Sequence, residues 1–194
     1  PEIDYEITKN HKGNFNYSFN TNPTPYEPFK KIKALNKPSL RLIKDIHINY
    51  IPSYISYTHQ INRYYYELKT KDLTQSSTSN MPTSFSQDFV WNRNFDMKYD
   101  LTRTLKFTFS SAVNARIDEP YHPINKEIYP DEYAHWKDSV WSNVVKGGRT
   151  VSYQQQFSGS YTFPMNKIPF LNWTSLNANY NSSYFWEKGV SSKT

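Results

Sequence analysis

From Phe85 to Leu101 hydrophobic and polar residues alternate with a period of two. Phe85, Phe89, Trp91, Phe95, Met97, Tyr99 and Leu101 fall on one face, with Gln87 and Arg93 intruding. Asp88, Asn92, Asn94, Asp96, Lys98 and Asp100 fall on the other. After Thr102-Arg103 the pattern resumes: Leu105, Phe107, Phe109, Val113, Ala115 and Ile117 face one way, and Lys106, Thr108, Asn114 and Arg116 the other. A period of two is the mark of a strand with unlike faces, so these runs predict a long hairpin about a tight turn. The same test predicts six further strands, over 2–8, 13–21, 43–51, 54–68, 150–164 and 173–187.

The eight expected strands are joined by short connections at 9–12, 52–53, 102–103 and 165–172. Long ones cover 22–42, 69–83 and 118–149, including a Ser/Thr-rich stretch at 74–80. Short turns on one side and long loops on the other are the pattern of an outer-membrane β-barrel. The apolar face is densest beside the short turns and thins toward the long loops, where His59, Arg63, Gln87 and Arg93 enter it. A strand of 17 residues, tilted by about 40°, rises roughly 40 Å, well beyond an apolar band of about 25 Å. Its loop end should therefore stand outside the membrane. Within the 118–149 loop, Tyr133, Trp136, Val140, Trp141 and Val144 recur at helical spacing between Pro130-Asp131 and Gly147-Gly148, which predicts one short helix.

Composition sharpens this reading. The mean hydropathy is −0.83, low enough to suggest disorder, but 12 Phe, 17 Tyr and 5 Trp among 194 residues do not fit a disordered chain. No apolar run exceeds three residues, so a transmembrane helix, which needs about 20, is excluded. A spanning strand is not, because only alternate residues meet lipid. The absence of Cys removes disulfides, thiolate metal sites and Cys nucleophiles. The start at Pro1 and the polar end at 189–194 lead us to expect a piece of a longer polypeptide.

Catalytic chemistry finds no support. His11, His47, His59, His122 and His135 make no helical metal pair, so no metal site and no cofactor are expected. Asp118-Glu119 and Asp131-Glu132 sit at turns or at a helix start, where acids are favoured without any catalytic role. Gly147-Gly148-Arg149 lacks the frame of a phosphate loop. The net charge of +6 is spread over turns and loops, including the basic run 30–44. That distribution suits solvent or anionic lipid head groups such as lipopolysaccharide, and no nucleic-acid partner is expected.

Several blocks carry a resemblance. Asn92-Arg93-Asn94-Phe95-Asp96-Met97-Lys98-Tyr99-Asp100-Leu101-Thr102 followed by Ala115-Arg116-Ile117-Asp118-Glu119-Pro120 resembles the SprA (Sov) family, the giant outer-membrane proteins of the type IX secretion system of Bacteroidota. Leu42-Ile43-Lys44-Asp45-Ile46 running into Ile61-Asn62-Arg63, Trp136-Lys137-Asp138-Ser139-Val140-Trp141, and Pro164-Met165-Asn166-Lys167-Ile168-Pro169 with Phe170-Leu171-Asn172-Trp173 are similar to the same family. The resemblance implies that residues 1–194 are part of one very large barrel domain, closed by other strands of the same protein. It further implies a non-enzymatic translocon that exports folded proteins, gliding-motility adhesins among them. The implied partners are a PorV-like barrel, a plug protein and the exported substrates.

On this reading Phe95, Met97, Tyr99, Leu101, Leu105, Phe107 and Phe109 face lipid or a partner barrel. Asp88, Asn92, Asn94, Asp96, Lys98, Asp100, Asn114 and Arg116 line the lumen. Two alternatives stay open: a complete small barrel of eight strands, and a soluble β-sandwich binding module whose aromatic stripes face each other. Against the first, no final strand ends in an aromatic residue; against the second, the strands are long for a sandwich.

Overall fold

The computed structural model describes residues 2–36, 40–71, 83–119, 124–168 and 170–189. They form one antiparallel sheet of six strands, laid side by side in chain order: β1 (Glu2–Asn20), β2 (Tyr54–Lys71), β3 (Ser84–Asp100), β4 (Leu105–Arg116), β5 (Arg149–Phe163) and β6 (Leu176–Glu187). The outer strands β1 and β6 do not pair with each other, so the sheet is open. Among the described residues the α-helices are a single turn, α1 (Arg41–Lys44), and the four-turn α2 (Pro130–Val145). The 74–80 stretch, His122 and the tail beyond residue 189 lie outside the described residues.

Two of the eight expected strands are corrected. The turn expected at 9–12 does not form: His11 pairs with Arg63 and Lys12 with Asn62, and β1 runs straight through. Turn-forming composition yields here to an 18-residue partner strand, which pairs the inward-facing backbone groups of this segment along with the rest of β1. The strand expected at 43–51 is also absent. Both edges of β2 are taken, by β1 and β3, and this segment makes α1 and an isolated bridge from Ile48 to Tyr26 instead. With them falls the simple alternation of short and long connections. Residues 21–53 now join β1 to β2 at the same end of the sheet as the tight β3–β4 turn and the β5–β6 connection.

That long connection is tied down by its backbone. The Ser53 N–H donates to Lys98 O at 2.9 Å, the Asn49 N–H to Leu101 O at 2.9 Å, and Asn49 Nδ2 to Asp100 O at 2.6 Å. The Tyr99 hydroxyl donates to Asn49 O at 2.7 Å, and Lys167 pairs with Asp45 at 2.6 Å. Between it and the turns lies a cleft of about 870 Å³, bordered by His47, Leu105 and Phe163.

Little is enclosed. Among the described residues the buried apolar side chains are Ala115 and Ile117. Phe15, Tyr17, Phe19, Tyr180 and Tyr184 stand half or more exposed, and every described residue of β6 is exposed. A domain in water normally buries an apolar sheet face under a second layer. The described residues supply such a layer only where α2 crosses one end of one face.

Candidate lipid-facing and lumen-facing surfaces

Register carries the predicted faces across the whole sheet. Met97 lies opposite Phe109, Tyr99 opposite Phe107, and Phe109 in turn opposite Phe157. The rings touch in series: Tyr57 to Phe95 at 6.5 Å, Phe95 to Phe109 at 6.0 Å, Phe107 stacked on Phe157 at 5.9 Å, and Phe157 to Tyr180 at 6.2 Å. Aromatic cross-strand pairs of this kind stabilise a sheet beyond their buried area. Gly159 faces Phe107, and a Cβ there would come within 3.3 Å of the ring, so glycine is what lets the ring lie flat. The result is an aromatic band from β2 to β6, which Phe15 of β1 extends through His59. Leu101 lies in the turn beyond β3, at the foot of the band.

The opposite face is hydroxyl, amide and charge. Asn92 lies opposite Asn114, Lys98 opposite Thr108 and Asp100 opposite Lys106, so the lumen-facing candidates share one surface. Arg116 pairs with Asp88 at 3.1 Å, and Asn114 Nδ2 donates to Ser152 Oγ at 2.7 Å. Asn94 and Asp96 continue the polar row in β3, and a trough of about 450 Å³ crosses it with Asp96, Ser110, Gln156 and Asn181 in its walls. Tyr64, Tyr66 and Phe185 lie on this face too, toward the end where α2 sits.

At that end the aromatic face is capped. Pro130 starts α2, Asp131 and Glu132 sit in its first turn, and Tyr133, Trp136, Val140 and Val144 turn inward, leaving a groove of about 450 Å³ against Arg63 and Phe89. Two arginines hold the cap. The Arg63 guanidinium lies 5.8 Å from the rings of both Phe89 and Trp136 and pairs at 2.6 Å with Glu119, whose side chain is 4% exposed. Arg93 stacks on Trp91 at 4.9 Å and donates to Gly147 O at 3.0 Å. Trp91 Nε1 in turn donates to His59 Nδ1 at 3.1 Å. The residues that intrude on the apolar stripe are thus the ones that receive the loop. Sequence alone marks them as exceptions but not as a clamp, because Glu119 and Gly147 are remote from them in the chain.

The helix ends as expected, at a glycine pair in the left-handed region: Gly147 has φ +81° and Gly148 φ +71°. At Gly148 a Cβ would meet Ile117 Cδ1 at 2.7 Å and Arg116 O at 2.9 Å. We expect Gly148→Ala to destabilise the loop by about 1–3 kcal/mol, seen as faster amide exchange through α2. Gly147→Ala should cost less, since its nearest contact is the movable tip of Arg93.

Just beyond β4, Arg149 grips Asp118 through two N–H groups at 3.1 and 3.0 Å. This bond holds the Asp118 carboxyl below the ordinary carboxylate range. A depressed folded-state value means that the pair contributes stability above the ordinary range, and that the contribution is lost as pH falls through the lowered value. Both side chains are about half exposed, so its worth is that of a screened surface pair, about 0.2–1 kcal/mol. Exchange at the base of the loop should accelerate as the pH drops below about 4, and Asp118→Asn should abolish that pH dependence.

No cluster of His, Asp and Glu among the described residues has the arrangement of a metal site. The chain matches no protein-family model and no curated protein.

Proposed function

We propose that these strands are a stretch of a much larger outer-membrane β-barrel, with the aromatic face in lipid and the polar face toward a wet lumen. The observation that carries this reading is a six-stranded sheet whose aromatic band, among the described residues, has a second layer only at the end where α2 sits, while the opposite face is already polar. Water would tolerate only one of these faces; a membrane wall suits both. The nine residues from Trp91 to Tyr99 rise about 20 Å at the usual spacing and tilt, close to the apolar band of a barrel, which is about 25 Å tall. Near the upper end of that span Arg93 donates to Gly147 O just beyond α2, and above it Arg63 meets Trp136 of α2, instead of hydrocarbon. The open edges β1 and β6 are compatible with continuation of the sheet into other strands.

We further infer, from the resemblance to the SprA family, that the barrel is the type IX protein-conducting translocon. It would export folded proteins past a plug, with a PorV-like barrel beside it. A lumen wall of Ser, Thr, Asn and Gln offers cargo weak, water-replaceable contacts rather than a tight site. The test is an antibody to the 130–149 loop on outer-membrane fractions. A species far larger than 194 residues, whose depletion strands exported proteins in the periplasm, is the expected result. A discrete species of this length with normal export would overturn the secretion role.

A further inference from the structure

Where α2 crosses the sheet it roofs a cavity of about 220 Å³ whose floor is the aromatic face of β1 and β2. Lys9 and His11 from β1 and Arg63 from β2 enter it, with Tyr65, Gln87 and Trp136 around them. The strands bring the three basic side chains together: His11 lies directly opposite Arg63, and Lys9 opposite Tyr65, its Nζ 5.7 Å from that ring. Glu67 also borders the cavity, but its two carboxylate oxygens accept the hydroxyls of Tyr5 and Tyr65 at 2.7 and 2.6 Å. Arg63 keeps N–H groups beyond the one given to Glu119. Among the described residues no acid pairs with Lys9 or His11.

Height and face give this cluster its meaning. It lies on the same face as the aromatic band and two residues beyond Gly13 and Ile61, which close the band on β1 and β2. Arg or Lys on the lipid side is strongly disfavoured at the midplane but nearly neutral near the interface. There, anionic head groups attract cations. Aromatic rings beside cations and amides in a small cavity suit a phosphorylated sugar.

On the barrel reading given above, we propose that Lys9, His11 and Arg63 beneath α2 bind the phosphate of an anionic glycolipid head group at the membrane interface. The full-length protein, purified in detergent, is titrated with bisphosphorylated lipid A, its dephosphorylated form and inorganic phosphate, and bound species are counted by native mass spectrometry. We expect the phosphorylated lipid to be retained, the dephosphorylated lipid to fall to background, and the exposed double variant Lys9→Gln/His11→Gln to lose binding at least tenfold. Lys106→Gln, on the polar face, should lose none. Equal retention of the dephosphorylated lipid, or an unchanged double variant, overturns the site. Inorganic phosphate binding as tightly as the lipid overturns the lipid source and leaves a free-anion site. A lipid-soluble label on Phe107→Cys separates the two failures: if it reacts while lipid A does not bind, the barrel stands without the site. If it does not react, the barrel reading falls first.

Discussion

Phe109→Lys should abolish assembly into the membrane, whereas Thr108→Lys, one residue before it, should be tolerated. Phe109 lies opposite Met97, toward the middle of the Trp91–Tyr99 span, where a charge facing lipid costs about 2–4 kcal/mol, and losing the ring contact with Phe95 adds about 0.5–1.5 kcal/mol. Thr108 faces the polar trough beside Lys98 and Ser158, where a further cation disturbs little. The two variants differ only in which face receives the charge, so a general intolerance of Lys in β4 is controlled for. Heat-modifiable mobility of the barrel in detergent extracts reads the folded fraction. Equal behaviour of the two variants would mean that Phe109 does not meet lipid.

Glu119→Ala should free the α2 loop without unfolding the sheet. It leaves the Arg63 guanidinium between Phe89 and Trp136 with its carboxylate gone. Losing the partner of a charged hydrogen bond costs about 1–3 kcal/mol. Because Arg63 is 39% exposed and water screens part of the loss, the lower half of that range is expected. Cleavage by protease between 124 and 146 should then rise about tenfold for each 1.4 kcal/mol lost, provided that opening is fast. The double variant Arg63→Met/Glu119→Leu should recover much of the protection, since an apolar pair can replace a buried ionic one. No recovery would mean that α2 is held by something other than this clamp.

What the sequence made legible was the part governed by local period. The β3–β4 hairpin, the faces of β3, β4, β5 and β6, and the limits of α2 between Pro130 and the glycine pair follow from alternation, helical spacing and backbone chemistry within a few residues. The strand count failed where pairing decides. Lys9 to Lys12 look like a turn until the unbroken length of β2 is set beside them. Ile46, Ile48 and Tyr50 alternate like a strand but find no free edge. The candidate faces were legible for the same reason as the hairpin, because register simply extends each parity across the sheet. The clamp was not: Arg63, Glu119 and Trp136 meet only through the path of the loop, and no spacing in the chain encodes that path.

On the barrel reading, one face of this open sheet meets lipid and the other meets water. Single cysteines at 94 to 97 and 106 to 109 of the assembled protein, in a Cys-free background, carry a nitroxide whose collisions with oxygen and with a water-soluble nickel complex are compared. Oxygen should win at 95, 97, 107 and 109 and nickel at 94, 96, 106 and 108, out of phase by one residue. Nickel access at both parities, or access by neither reagent at Phe95, Met97, Phe107 and Phe109 as in a sandwich core, would contradict it.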